Sequence, residues 1–286
     1  MGSPFKYSGI AIRLSVDFPV QRGMESGFTD GDCYEKKFNP RIYLETYYLS
    51  PLGEVLEKTF MPFVLTNLVK TFSSGPKFRT LLEIGCGPCL HLALTASGHA
   101  EQIVVSDFAS NNRQEIELWL QNDTGAFDWS PIAKYVCELE GDREKWTEKE
   151  KKLRDSIKQV LKCDVHQTNP LDPVELEPVD CLMTSLCLEA ACKDKAAYCA
   201  ALRNVTSLLK PDGVLILISD LNESYYIVDE LKFSSLKFDQ AFLESAIKEA
   251  GYEIDGFEIC VASDHIKSLV DCEATIFLVA HKCKNA

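Results

Sequence analysis

Along most of the chain, short continuously apolar runs alternate with amphipathic stretches of helical length. Strands are predicted at Thr80–Ile84, Gln102–Ser106, Val160–Val165, Asp180–Leu186 and Val214–Ser219, the last reading "VLILIS". Helices are predicted at Pro88–Gly98, Asn111–Gln121, Glu148–Lys158, Asp194–Leu209 and Phe238–Ala250. A strand that is apolar at successive positions must be covered on both faces, and strands separated by helices pair in parallel. The pattern therefore specifies an α/β fold, a mostly parallel sheet with helices on both sides. Towards the C-terminus the alternation stops: "YEIDGFEICVAS" and "ATIFLVAHK" read as two strands joined by a loop.

Upstream, Pro40 opens a helix in "FNPRIYLETYYLS", with Tyr43, Tyr47 and Tyr48 at helical spacing. A second helix is predicted from Pro51 to Phe72, with Leu56, Phe60, Phe63, Val64 and Leu68 on one stripe. Ser73-Ser74-Gly75-Pro76 then punctuates the chain. Residues 1–23 lack clear periodicity and are expected to be an extension; 24–286 are expected to form one domain, with a helical cap over 24–75 and the α/β core over 76–286.

Composition narrows the function. The chain has 286 residues, 46% of them apolar, enough to bury a sizeable core. A net charge of −13 argues against phosphate-backbone binding, which relies on clustered Lys and Arg, and suits a small cationic ligand. No apolar run approaches the roughly 20 residues of a membrane span, so a cytoplasmic protein without a membrane partner is expected. The 12 cysteines lie partly inside apolar runs, as Cys137, Cys163, Cys181, Cys187 and Cys260 do, and reduced thiols are the expectation. Cys33, Cys192, Cys199, Cys272 and Cys283 show no paired Cys/His spacing of a zinc site, so no metal is expected. No apolar stripe is left over for a subunit interface, and a monomer is expected.

The stretch "LLEIGCGPCL" (Leu81–Leu90) admits two readings. Cys86 and Cys89 have the spacing of a redox pair, whose first thiol would need a lowered pKa and access to solvent. Alternatively, Gly85 and Gly87 form a tight turn at the end of a strand, where a ligand approaches the backbone and a helix N-terminus offers N–H groups. Asp107, ending the next strand in "IVVSD", stands where an acid accepts hydrogen bonds from ribose hydroxyls. Pyrophosphate-binding turns carry a small residue where this chain has Leu90. S-adenosylmethionine, which has no phosphate, fits better, with Asp164 and Val165 placed for its adenine and Ser185 at the end of the following strand.

Several separated stretches together resemble the family of small-molecule amine N-methyltransferases that includes the nicotinamide, phenylethanolamine and indolethylamine enzymes. They are "SGFT", "FNPRIYLETYY", "EIGCGP", "SDFASNNRQE", "GAFDWSP", "VLKCDVHQTNPL", "LCLEAAC", "ALRNVTSLLKPDG" and "SYY", spread between Met24 and Lys282. The resemblance implies a Rossmann-like class I methyltransferase, with a seven-stranded mostly parallel sheet, an antiparallel C-terminal strand and an N-terminal helical cap. It implies S-adenosylmethionine as methyl donor and S-adenosylhomocysteine as product. By position it implies that Tyr43 and Tyr48 cover the methionine end, Gly85 and Gly87 form the turn, Asp107 and Asn112 hold the ribose, and Asp164 and Val165 flank the adenine. Cys86, Cys89 and His91 stand where the family carries Ser, Thr and Tyr, so the cysteines fill hydroxyl positions and His91 replaces a contact to the carboxylate tail.

An alkylammonium has no lone pair and a pKa near ~10, so an amine must lose a proton before it can be methylated. Glu189, Glu223 and Asp271 are the candidate acids, the first two just beyond strand ends, with Tyr43 beside them. The resemblance implies that nicotinamide enzymes carry Asp at the position of Ser219 and Ser at that of Glu223, while phenylethanolamine enzymes carry Glu at both glutamate positions and a further Asp near Asp271. Asp220 adjoins Ser219, Ser235 matches, and Tyr226 is a candidate wall of the substrate pocket, with Tyr225 and Phe233 near it. An arylalkylamine of the indolethylamine type is the expected substrate. The alternatives are nicotinamide or phenylethanolamine and, outside the class, an inactive cofactor-binding protein, a Cys86/Cys89 redox protein or a macromolecular methyltransferase.

Overall fold

The computed structural model describes residues 27–48 and 60–284. The expected extension over 1–23 and the first part of the helix expected from Pro51 lie outside the described residues. In chain order the helices are α1 Gly31–Lys37, α2 Pro40–Tyr47 and α3 Phe60–Ser74, followed by β1 Phe78–Ile84, α4 His91–Ala96, β2 Ala100–Asp107, α5 Ser110–Leu120, α6 Ser130–Leu139 and α7 Trp146–Ser156. Then come β3 Ile157–Lys162, β4 Val179–Ser185, α8 Leu188–Ala191, α9 Lys195–Thr206 and β5 Leu209–Leu221. A hairpin of β6 Tyr225–Val228 and β7 Leu231–Ser234 precedes α10 Gln240–Glu249, β8 Tyr252–Val261 and β9 Ala274–Lys282.

Seven strands form one sheet in the order β3-β2-β1-β4-β5-β9-β8. The first five pair in parallel, and β9 inserts antiparallel between β5 and β8. The continuous apolar strands follow from burial on both faces. Leu81 joins a core with Ile103, Met183 and Ile216 under α3, α4 and α6, while its neighbour Leu82 joins Leu182, Leu215 and Leu278 on the opposite side under α9 and α10. Side-chain caps start several helices: Asn39 before Pro40 in α2, Asp194 in α9 and Asp239 in α10 each accept a bond from a first-turn N–H.

Some elements depart from the pattern-based expectation. β3 ends at Lys162 rather than Val165, because Asp164 turns the chain: its Oδ1 accepts the His166 N–H at 3.0 Å and its own N–H donates to Pro170 O at 2.8 Å. α4 starts at His91 rather than Pro88, because Cys86–Cys89 closes a turn first, Cys89 N–H donating to Cys86 O at 3.2 Å. The helices α1 and α6 and the β6–β7 hairpin were not legible in the pattern. Among the described residues no helix is long and apolar enough to cross a membrane.

Candidate active site

At the end of β1 the chain makes its turn through two left-handed residues, Gly85 (φ 65°) and Gly87 (φ 59°). A Cβ on Gly85 would fall 2.1 Å from Cys187 Sγ, so only glycine fits there. Cys86 N–H donates to Ser106 O at 2.9 Å and ties the turn to β2. β2 delivers Asp107 directly beside the turn. Its carboxylate accepts the N–H of Gly87 at 2.8 Å, that of Ala109 at 2.9 Å and the Asn112 side-chain amide at 2.9 Å. Burial raises the Asp107 pKa, and these donors oppose the rise. Asn112 Oδ1 is buried and has no partner, an acceptor left for a ligand hydroxyl.

All the residues expected at the cofactor line one cavity: Tyr43, Tyr48, Gly85, Cys86, Gly87, His91, Asp107, Asn112, Asp164, Val165 and Ser185. At one end Tyr48 packs against His91 with ring centroids 5.3 Å apart, and both His91 nitrogens are buried without partners. Burial lowers the His91 pKa to about 3, so the ring is neutral and one N–H can donate to a carboxylate tail. Glu83, on the cavity floor, is pushed up to about 8 by burial and by the nearby Asp107, and carries a proton at neutral pH. The orphaned Asn112 and His91 atoms and the glycine turn fit a ligand with a ribose at one end and an amino-acid tail at the other.

The pattern missed the roof of this cavity. Thr29, Gly31, Tyr34 and Phe38, in or beside α1, line it together with Tyr226. The Tyr34 and Tyr226 hydroxyls lie 2.5 Å apart, and Phe233 packs against both rings. The aromatic richness of the segment from Phe28 was the available signal, but not that it folds over the turn.

The expected substrate acids lie beyond this aromatic wall. Glu189, in the first turn of α8, accepts the Ser219 hydroxyl at 2.5 Å and the Asp220 N–H at 3.3 Å, and burial raises it to about 7. Asp220 stands opposite Thr275 in the β5–β9 register, and the Thr275 hydroxyl donates to it. Asp220, Glu223 and Cys272 place their ligating atoms within 4.8 Å of one another, close enough to share a proton or a cation. All four side chains, with Glu189, are at most 7% exposed. Among the described residues no Lys or Arg forms an ion pair with these acids. Glu223 lies near enough to Tyr34, Tyr43, Tyr47 and Tyr226, three of which line the cavity, for its charge when ionised to raise their hydroxyls further, beyond the rise from burial. Ser235 is buried near the same acids. Asp271 lies near enough for its charge to act on Glu223, but its carboxylate is already engaged: it accepts Ser224 N–H at 2.7 Å, Ser224 Oγ at 2.6 Å and Tyr225 N–H at 3.2 Å, which hold it low and spend it on the entry to β6.

Cys86 and Cys89 are both buried, and burial pushes both thiols well up, the reverse of what an attacking redox thiol needs.

The model of the NNMT/PNMT/TEMT family matches residues 25–283. The chain is 47% identical over 260 residues to nicotinamide N-methyltransferase of Homo sapiens, covering 91% of this chain and 98% of that protein. It is 43% identical to indolethylamine N-methyltransferase of Oryctolagus cuniculus over the same shares. Phenylethanolamine N-methyltransferase of Macaca mulatta is 38% identical, over 85% of this chain and 87% of that protein. A solved S-adenosylmethionine-dependent methyltransferase from Clostridium acetobutylicum ATCC 824 superposes with a TM-score of 0.53 at 10% identity, covering 84% of this chain and 99% of that one, a likeness of fold alone. The chain belongs to the NNMT/PNMT/TEMT family and is an S-adenosylmethionine-dependent N-methyltransferase with the class I fold.

Proposed function

We propose that the protein methylates the nitrogen of a small arylalkylamine of the indolethylamine type, with S-adenosylmethionine held in the cavity over the glycine turn. The observation that carries this reading is the set of buried carboxyl groups, Glu189, Asp220 and Glu223, with which no Lys or Arg among the described residues forms an ion pair. Buried charge of one sign calls for a partner of the other, and a protonated amine is such a partner. When bound, S-adenosylmethionine supplies an electrophilic sulfonium methyl. Asp107 and Asn112 orient the ribose, His91 and Tyr48 the amino-acid end, and the aromatic wall of Tyr34, Tyr43 and Tyr226 excludes water and packs against an aryl ring. Glu223 and Glu189 bind the ammonium and accept its proton. No metal is part of this reading.

A second reading, nicotinamide as substrate, is favoured by the 47% identity to the human nicotinamide enzyme. A neutral carboxamide leaves the acids without a cation, which is why it ranks second. Methyl transfer to tryptamine, N-methyltryptamine, phenylethanolamine and nicotinamide, assayed side by side with product masses, separates the two. Preference for the first two amines is the expected result. Preference for nicotinamide overturns the arylalkylamine reading and leaves the cofactor assignment standing.

A further inference from the structure

Asp220 is the third acid of the cluster, and the amine chemistry just described does not use it. It lies one residue from the end of β5 at 7% exposure, held by the hydroxyl of Thr275 across the β5–β9 pairing, with the thiol of Cys272 within 4.8 Å. Glu223, three residues on and 5% exposed, brings a carboxyl oxygen within 4.8 Å of one of Asp220. The groups facing this pair are Glu189 from α8, Asp271 and Cys272 from the segment before β9, Thr275 on β9, Ser235 after β7, and the rings of Tyr34, Tyr43, Tyr47 and Tyr226. The charges among these neighbours are negative. Two buried carboxyls this close in such surroundings do not both ionise.

Resting on the arylalkylamine reading, we infer that Asp220 and Glu223 are a one-proton carboxyl pair, in which Asp220 is the positioning residue that keeps Glu223 protonated until a cationic amine displaces that proton. The neutral pair costs little to bury while the site lacks substrate. An entering ammonium favours the fully ionised pair, so one proton leaves to solvent as the amine binds. Glu223 is then a carboxylate beside the nitrogen. As the amine is activated, an N–H bond breaks with its electron pair left on nitrogen, and the proton forms an O–H bond on Glu223. The lone pair then bonds the methyl carbon while the C–S pair stays on sulfur, and the proton now on Glu223 restores the one-proton pair as the product leaves, so that one proton reaches solvent per turnover. The burial of both groups and the charge of Asp220 raise Glu223, in the direction the inference requires.

The test uses infrared titration of the full chain without substrate. The protonated-carboxyl band that disappears in Glu223→Gln is the Glu223 band. In the wild type it should titrate in the alkaline range, and in Asp220→Asn at least one pH unit lower. Asp220→Ser, which keeps a partner for Thr275, takes its place should the Asn variant not fold. An unchanged midpoint overturns the pairing, and a band that appears only after chelation assigns the three donors to a metal ion and overturns it too. With tryptamine, the acid limb of kcat/KM should move down by the same amount in Asp220→Asn, about tenfold in rate below the midpoint, while KM for S-adenosylmethionine does not follow. Limbs that coincide overturn the role of Asp220 in proton removal. A shifted band together with no methylation of tryptamine by the wild type overturns the arylalkylamine reading and that role with it, leaving only the pairing itself.

Discussion

Asp107, at the end of β2, and Glu223, just beyond the end of β5, are both carboxyl groups buried beyond nine-tenths on two strands that β1 and β4 separate, yet their surroundings are opposite. Asp107 accepts three N–H donors from Gly87, Ala109 and Asn112. Glu223 faces Asp220, Glu189 and Asp271. Equal burial is therefore offset by N–H donors at one end of the site and compounded by other carboxyls at the other. What a buried acid does is decided by whether donors or other acids fill its shell.

The largest effect expected from breaking this contrast is at the Asp107 end. Asp107→Ala removes the acceptor of three bonds and leaves two backbone donors and an amide unpaired, so kcat/KM for S-adenosylmethionine should fall on the order of 100-fold or more. Steady-state kinetics with varied cofactor checks it, and a fall confined to the amine's KM would place Asp107 elsewhere. At the other end, Glu223→Gln keeps shape and loses charge. It should raise KM for tryptamine about 10- to 100-fold while KM for S-adenosylmethionine moves little; equal effects on both remove Glu223 from the substrate side.

A smaller effect concerns stability against pH. Glu83 titrates near 8 in the folded protein against its usual 4.5, and Glu189 near 7. Between the two values the folded state holds a proton that the unfolded state has released, so stability is greatest below about 4.5 and is lost as pH rises to the folded value. Each such group contributes a slope of about 1.4 kcal/mol per pH unit. The ligand-free protein should melt lower at pH 8 than at pH 5.5, and Glu83→Gln should flatten that decline; a parallel curve refutes the assignment. Smallest of all, Cys86→Ser with Cys89→Thr returns hydroxyls to the turn and should change KM for S-adenosylmethionine within about twofold. A large change would mean that the thiols matter beyond size.

The sheet was legible because strands buried on both faces are apolar at every position, as Leu81 and Leu82 are on opposite sides of β1. That the residues expected at the cofactor would line one cavity was legible for a related reason: Gly85, Gly87, Asp107 and Asp164 sit at or just beyond strand ends, where short-range sequence fixes geometry. The hairpin was not legible, because Tyr225–Val228 and Leu231–Ser234 are four residues each around a left-handed Asp229 and offer little periodicity. Nor was the contact of Asp220 with Cys272 and Thr275, which depends on the β5–β9 register across some fifty intervening residues. Asp271 looked like a member of the acid group from its position alone. Its side chain instead turns to the backbone of Ser224 and Tyr225, a local preference that position cannot reveal.

The placement of β9 between β5 and β8 also ties the acid cluster to the C-terminal strand. Residues 274–282 pair with β8 nearby in sequence and with β5 some fifty residues away. Thr275 rides on that strand, so the bond it donates to Asp220 exists only where the β5–β9 register is correct. A slip of that register by one residue would turn Thr275 to the other face of the sheet and strip Asp220 of its donor, while leaving the glycine turn between β1 and β2 untouched.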